Sequence, residues 1–230
     1  LNAGYRVAVA GGTDKMAAQT AVGSLRTYAL LDPGWPFTFK EWARAMRAGR
    51  TFATTGPLID MTVEGQRIGD TIRLPASGGS VQVSATAESA WPLGRIELVL
   101  NGQVVASESA TRGGKRVAVS AKVPVARSGW IAARCGGWEG APGGAYMAAH
   151  TSPVYLLCGR QRAFDGPAIE HMLNSTQGGI EYLREIATEF SPRDTQRMIS
   201  LYRKVEKHFR DRLHEAEHAI GHHAHSHSAK

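Results

Sequence analysis

The chain has 230 residues, 43% hydrophobic and 20% charged, which is typical of a globular protein rather than a disordered or fibrous one. No apolar run approaches the roughly 20 residues of a membrane-spanning helix, so we predict no membrane span. The net charge of +7 would permit nucleic-acid binding, but the basic residues are scattered, and we predict a solvated basic surface without a nucleic-acid partner. The chain begins at Leu1 without a secretory signal pattern, so we expect an upstream part of the same polypeptide. We predict a soluble protein, exported only if that upstream part carries a signal peptide.

The first segment, residues 1–57, has the pattern of an α/β region. Residues 5–10 are predicted to form a short buried strand that ends in two glycines, and residues 24–31 a second strand. A helix with one apolar face is then predicted from a cap at Thr38 to Gly49. The order strand, loop, strand, helix predicts the end of an α/β domain.

The next segment, residues 58–160, has the period-two alternation of half-buried strands. The dipeptide Asn101–Gly102 stands between two alternating runs and predicts a tight hairpin, because both turn positions need a positive φ. One buried and one solvated face indicate an antiparallel β-sandwich of immunoglobulin-like size. The predicted strands are residues 59–63, 71–74, 80–87, 95–100, 103–107, 116–123, 130–134 and 152–157.

The C-terminal part, residues 161–220, has apolar residues at helical spacing. The pair Gly178–Gly179 is predicted to interrupt the first helix, and Ser191–Pro192 to begin a new one. Such apolar stripes indicate helices that pack on a neighbour. Residues 221–230 form a His- and Ser-rich tail that we predict to be disordered.

An acidic residue, Asp14, follows the first predicted strand and its two glycines. A carboxylate at the C-terminal end of a strand lies where α/β barrels gather their active sites, and it is a hard ligand suited to Zn, Mn or Fe. On this ground alone, a turn or a helix cap is the more common role of such an aspartate. Both interpretations stay open from the residues alone.

Six blocks follow one another in an order found in a known family: GGTDKM, VGSLRTYALLD, FTFKEWARAMRAGRTFATTGPLIDMTVEGQRIGDTIRLP, RIELVLNGQVVA, GWIAARC and AHTSPVYLL. Up to about residue 213, the chain resembles the C-terminal half of PHP-superfamily metallohydrolases (polymerase and histidinol phosphatase type), in the carbaryl-hydrolase-like branch called CehA/McbA. The resemblance implies a multi-part α+β chain. It would consist of the remnant of a PHP-type (β/α) barrel over residues 1–57, the β-sandwich, the helical segment and the tail.

The resemblance also implies a hydrolase that binds two or three divalent ions, Zn, Mn or Fe, through His, Asp and Glu. A metal-bound water would attack a phosphoester, ester, carbamate or amide of a small-molecule substrate. Asp14 falls on the aspartate of the family's last ligand motif, Gly-Ser-Asp-x-His, whereas Met16 stands at the histidine position and is a poor ligand for a hard ion. The other ligands would lie upstream of Leu1, so we expect this chain to be incomplete for catalysis.

Two arginines lie in what would be the last units of the barrel. Arg26 and Arg50 are candidates for binding an anionic substrate, and structural or surface ion pairs are the more common alternative.

The tail contains a second metal-binding pattern. His214 and His218, with Glu215 between them, match HExxH, in which two histidines share one helix face and the glutamate acts as general base. The third histidine of the longer pattern is replaced by Ala224, and the flanking residues are charged. We therefore expect adventitious metal binding by the tail rather than a peptidase site.

Three functions remain from the sequence. The first is the C-terminal part of a metal-dependent hydrolase. The second is a non-catalytic β-sandwich that binds a carbohydrate or another domain. The third, which the sequence favours least, is a zinc peptidase that uses the HExxH motif.

Overall fold

The computed structural model describes residues 1–140, 144–160 and 165–225, including their side chains except those of residue 145 and residues 215–225. These residues form a mixed α+β chain of twelve strands, three α-helices and a 3-10 turn at Gly144–Tyr146. The chain divides into two compact units. Unit 1 consists of Leu1 and Arg6–Ala163, and unit 2 of Asn2–Tyr5 and Phe164–Lys230.

The strands all belong to unit 1. In chain order they are β1 (Arg26–Ala29), β2 (Thr51–Thr54), β3 (Leu58–Val63), β4 (Gln66–Arg67), β5 (Thr71–Leu74), β6 (Gly79–Glu88), β7 (Leu93–Leu100), β8 (Gln103–Ser109), β9 (Arg116–Val125), β10 (Gly129–Gly137), β11 (Ala148–Thr151) and β12 (Val154–Cys158).

These strands form two sheets. Sheet A has the order β1-β2-β11-β10-β12-β5, and β7 joins it by pairing with β10 and with β8. Sheet B has the order β4-β3-β6-β9. The described pairings are antiparallel except that of β12 with β5, which is parallel.

The two sheets share one hydrophobic core, because alternate residues of facing strands point into it. In β6, the buried positions alternate with exposed or half-buried ones, as period two requires. This is the layered packing of a β-sandwich. Core residues from sheet B include Ile59, Met61, Val63, Val81, Val83, Val119 and Val123, and those from sheet A include Ile96, Leu98, Ile131, Ala133, Cys135 and Leu156.

The eight strands predicted between residues 59 and 157 are confirmed with small shifts of their ends, and three further strands, β2, β4 and β11, were missed. The predicted strand over residues 5–10 is wrong. This segment bonds to the side chains of Thr51 in β2 and of Ser152, between β11 and β12, instead of joining the ladder of sheet A. The backbone N–H of Val9 donates to Ser152 Oγ (2.9 Å), and Thr51 Oγ1 donates to the carbonyl of Val9 (2.7 Å).

The first segment is continuous with sheet A. Strand β1 pairs with β2, and β2 pairs with β11, so residues 6–57 belong to the same compact unit as the sandwich. The predicted helix is confirmed as α1 (Phe39–Arg47), where Thr38 Oγ1 accepts from the N–H of Glu41. The assignment of this segment to the end of a barrel stays a prediction.

Unit 2 contains α2 (Gly166–Glu185) and α3 (Pro192–His225). The predicted interruption at Gly178–Gly179 is wrong, because α2 runs through both glycines, whereas the new helix start at Pro192 is confirmed. None of the described helices is long and apolar enough to cross a membrane. The prediction of a disordered tail over residues 221–230 is wrong for its first half, because α3 continues to His225, and residues 226–230 lie outside the described part.

Candidate functional site

Asp14 lies in an exposed loop that is fixed to the segment before β1. Its backbone has φ 47°, in the left-handed region that non-glycine residues seldom adopt. The preceding Thr13 anchors the loop, since its Oγ1 donates to the carbonyl of Leu25 (3.1 Å) and accepts from the N–H of Gly23 (2.8 Å). The carboxylate of Asp14 is left exposed, with no ion pair to another described residue.

A glycine allows this loop to lie close to the sheet. Gly11 exchanges two hydrogen bonds of 2.8 Å with Thr27 Oγ1 in β1. A Cβ at Gly11 would lie 3.1 Å from Leu25 Cγ and 3.3 Å from Ala53 Cβ, so a side chain there would require these neighbours to shift by a few tenths of an ångström. These contacts hold the backbone on either side of Thr13, so the exposed carboxylate of Asp14 lies on an anchored loop.

The residues around Asp14 do not by themselves make a complete metal centre. Within the described residues, no group of three or more His, Cys, Asp or Glu side chains is placed to hold a metal ion. Met16, which stands at the histidine position of the motif that this sequence resembles, is 89% exposed and offers only a thioether. Asp14 can act as one oxygen ligand, and an ion would need further ligands beyond those described here.

Arg50 is part of an ion pair. Its Nη1 lies 2.6 Å from both carboxylate oxygens of Asp32, and Nη2 of Arg67 lies 2.6 Å from Asp32 Oδ1. These hydrogen bonds hold the pKa of Asp32 below its ordinary value, and the bond from Arg50 has the larger effect. This geometry favours the structural alternative for Arg50 over substrate binding.

Arg26 makes weaker local contacts. Its Nη1 donates to the carbonyl of Gly23 (2.8 Å), and its Nε donates to Tyr28 Oη (3.2 Å). It also lines a cavity of about 400 Å³ together with Trp91 and Met147. A substrate-binding role for Arg26 stays a prediction.

The two tail histidines lie on α3. His214 is exposed, and the side chain of His218 lies outside the described part of the chain. The prediction that they bind a metal is therefore untested by this geometry.

The sequence analysis missed a charged cluster on β7 and β10. Glu97 lies directly opposite Arg134 in the β7–β10 register, and Arg95 lies two residues before it on the same face. Glu97 Oε2 accepts from Arg134 Nε (2.6 Å), and its Oε1 lies 2.9 Å from Arg95 Nε. The Glu97 side chain is only 8% exposed, whereas those of Arg95 and Arg134 are 67% and 48% exposed.

This cluster lines a cavity of about 550 Å³. The β7–β10 register shifts between Gly136 and Gly137, and a Cβ at Gly94 would lie 2.7 Å from the carbonyl oxygen of Gly137. The glycines thus permit a bulge beside the arginines. Other lining residues are Ser109, Cys135, Trp138 and Glu139.

The cluster could have been inferred only in part from the sequence. The alternation in RIELVL places Arg95 and Glu97 on the solvent face of one strand. Arg134 comes from a distant strand, and nothing in its own neighbourhood indicates that β10 pairs with β7.

A second cavity, of about 430 Å³, is mostly apolar. It is lined by β1, β2 and β3 residues, and the rings of Tyr28 and Phe52 stack beside it with centroids 5.0 Å apart. Leu30 and Leu58 contribute exposed apolar surface to the same cavity.

Comparison with known proteins leaves the family unassigned. No protein-family model matches the chain, and no curated protein matches it significantly. Membership of the PHP superfamily therefore stays a prediction that is based on the six sequence blocks.

Proposed function

We propose that the chain is the C-terminal part of a metal-dependent hydrolase of the PHP superfamily, in which Asp14 supplies one ligand to a divalent ion. The order of the six sequence blocks supports the family. The implied chemistry is hydrolysis of a phosphoester, ester, carbamate or amide by a metal-activated water. The remaining ligands would come from an upstream part of the same polypeptide.

The observation that carries this proposal is the geometry of the Asp14 loop. A non-glycine residue with positive φ is kept only where its surroundings hold it, and such residues cluster at functional sites. Thr13 and Gly11 hold this loop through hydrogen bonds to the segment around β1. An exposed carboxylate without an ion pair suits a hard divalent ion that approaches from outside.

The test replaces Asp14 with asparagine in the full-length polypeptide. Mn²⁺ is the metal probe, because the tail histidines favour Zn²⁺ and would obscure the result. We expect Asp14→Asn to lower Mn²⁺ affinity by about tenfold or more. We also expect it to abolish hydrolysis of p-nitrophenyl phosphate or p-nitrophenyl acetate. The readouts are metal content by mass spectrometry and the release of nitrophenol.

The matched control is Asp60→Asn, which removes another exposed carboxylate from unit 1. This control is expected to keep the wild-type Mn²⁺ affinity and hydrolysis rate. If Asp14→Asn also keeps both, Asp14 is not a ligand and the hydrolase proposal fails for this segment.

A second candidate is a non-catalytic binding module, and the cavity beside Arg95 and Arg134 favours it. This cavity uses sandwich strands and none of the Asp14 loop. The peptidase alternative has no comparable support among the described residues.

A further inference from the structure

The carboxylate of Glu97 is buried between two arginines that are themselves exposed. Burying a carboxylate is costly unless it is paired and hydrogen-bonded. Arg95 and Arg134 provide that pairing through one Nε atom each. Glu97 pairs with both arginines, and Glu139 is a second carboxylate in the lining, so the four charged side chains balance and the attraction for an anion depends on where the guanidinium donors lie.

The pairing leaves the outer ends of both guanidinium groups available. Each arginine contacts Glu97 through Nε, and in the described part of the chain their Nη groups have no hydrogen-bond partner. The hydrogen bond from Arg134 Nε to Glu97 fixes the direction of the Arg134 Nη groups, which suits a planar or tetrahedral oxyanion, and Arg95 lies beside it through its ion pair with Glu97. Glu97 thus holds Arg95 and Arg134 at the cavity through their Nε atoms and leaves their Nη groups to donate to a ligand.

The cavity also contains an aromatic surface and a second acidic residue. Trp138 follows the glycine bulge and lines the same space, and the guanidinium carbon of Arg112 lies 5.8 Å from its ring centroid. Glu139 lines the cavity as well and disfavours a second negative group on a ligand. The volume of about 550 Å³ is that of a small-molecule site.

We propose that this cavity binds a small molecule in which one oxyanion, a phosphate or a carboxylate, is attached to an aromatic ring. The oxyanion bridges the Nη groups of Arg95 and Arg134, and the ring lies against Trp138. Glu97 is a positioning residue. This inference goes beyond the hydrolase proposal and does not depend on it, because it uses no residue of the Asp14 loop.

The test is isothermal titration calorimetry of the full chain at low ionic strength with four probes. Phenyl phosphate and benzoate carry both features, inorganic phosphate carries only the oxyanion, and phenol carries only the ring. We expect binding of phenyl phosphate or benzoate, weaker binding of inorganic phosphate and no binding of phenol. The tighter of the first two probes identifies the oxyanion.

Three variants distinguish binding in this cavity from nonspecific attraction of an anion to the basic protein surface. We expect Arg95→Ala and Arg134→Ala each to weaken binding by about tenfold, as loss of a charge-assisted hydrogen-bond pair requires. Gly136→Leu should weaken ligand binding similarly, because the new side chain would fill part of the cavity that Gly136 lines. The substitution should not disturb the fold, since a Cβ at this position has no neighbour closer than 3.8 Å. The control is Arg116→Ala, another exposed strand arginine, which pairs with Glu88 at 3.3 Å and should leave affinity unchanged.

Thermal melts of each variant show whether it is folded, so weaker binding can be assigned to the site. The proposal is overturned if neither phenyl phosphate nor benzoate binds, or if phenol binds as tightly as they do. Wild-type affinity in both Arg95→Ala and Gly136→Leu would overturn it too. Asp14→Asn should not change this binding, so failure of the hydrolase proposal and failure of this one can be told apart.

Discussion

Two carboxylates in unit 1, those of Asp32 and Glu97, each lie between two arginines. The two clusters differ in how exposed their arginines are. Around Asp32, the side chains of Arg50 and Arg67 are 20% and 37% exposed. Asp32 also accepts from one Nη atom of each arginine, so part of the outer edge of both guanidinium groups is occupied by the ion pair. Around Glu97, the Nε atoms are used and the Nη groups remain. We therefore interpret the first cluster as structural and the second as the proposed ligand site.

Replacing Asp32 with asparagine should change how stability depends on pH. The hydrogen bonds from Arg50 and Arg67 hold the pKa of Asp32 below its ordinary value of 3.8. A carboxyl group whose folded pKa is lowered contributes stability that is fully present above the unfolded pKa and is lost as pH falls through the folded one. We expect the free energy of unfolding of the wild type to fall more steeply below pH 3.8 than that of Asp32→Asn. Urea denaturation at several pH values measures both slopes, and equal slopes would contradict the assignment.

At the scale of single elements, α2 shows how a glycine pair can stay inside a helix. A glycine in a helix interior costs about 1 kcal/mol relative to alanine, which is why the sequence predicts a break. Gly179, however, lies against the ring of Tyr202 in α3, and a Cβ there would be 2.3 Å from Tyr202 Cε1. The close packing of α2 on α3 offsets the cost of this glycine. Gly178 faces open space and has no such role.

Alanine substitution of the two glycines should have opposite effects. Gly178→Ala should raise the free energy of unfolding by about 0.5–1 kcal/mol, because the helix gains propensity without a clash. Gly179→Ala should lower it by about 1–2 kcal/mol, because the new methyl group displaces the Tyr202 ring. Urea denaturation followed by circular dichroism measures both, and each variant is the control for the other. A stabilising Gly179→Ala would show that the ring moves away at little cost.

At the scale of the whole molecule, unit 2 is not contiguous in sequence. Residues 2–5 belong to it together with the two C-terminal helices. Ala3 is buried with Ile169 and Phe209, and the ring of Tyr5 meets that of Phe209 edge-on with centroids 6.2 Å apart. Tyr5 Oη also lies 2.9 Å from Nε2 of His208. Apolar residues at the N-terminus therefore complete the core of the helical unit.

Removing the Tyr5 side chain should loosen the helices and leave the sandwich unchanged. Tyr5 is 37% exposed, and a partly covered aromatic residue of this kind contributes about 1–2 kcal/mol through its area and ring contacts. We expect Tyr5→Ala to lower amide hydrogen-exchange protection in α2 and α3 by about tenfold. The strands β6 and β9 should keep theirs. Tyr182→Ala, which removes an exposed tyrosine of α2, is the control and should have a smaller effect. Equal loss of protection in both units would contradict the assignment of Tyr5 to the core of unit 2.

The candidate sites differ in how far the sequence could predict them. Asp14 was singled out because a carboxylate after two glycines is a local pattern, and its role as a metal ligand stays a prediction. The pairing of Arg50 with Asp32 and Arg67 was anticipated only as a general alternative to substrate binding, since the sequence does not show which carboxylate an arginine meets. The Arg95–Glu97–Arg134 cluster was not predicted, because it exists only once β7 and β10 pair.

The sequence by itself determined features that depend on neighbouring residues. Alternation defined eight strands, and Asn101–Gly102 forms the expected turn with φ 51° and 91° between paired β7 and β8. Only the tertiary structure decided that β2 and β11 pair, that residues 6–10 bond to side chains outside the ladder, and that α2 continues through its glycines. These outcomes depend on contacts between residues far apart in the chain. A local pattern shows which face of an element is apolar, but it does not identify the partner that covers that face.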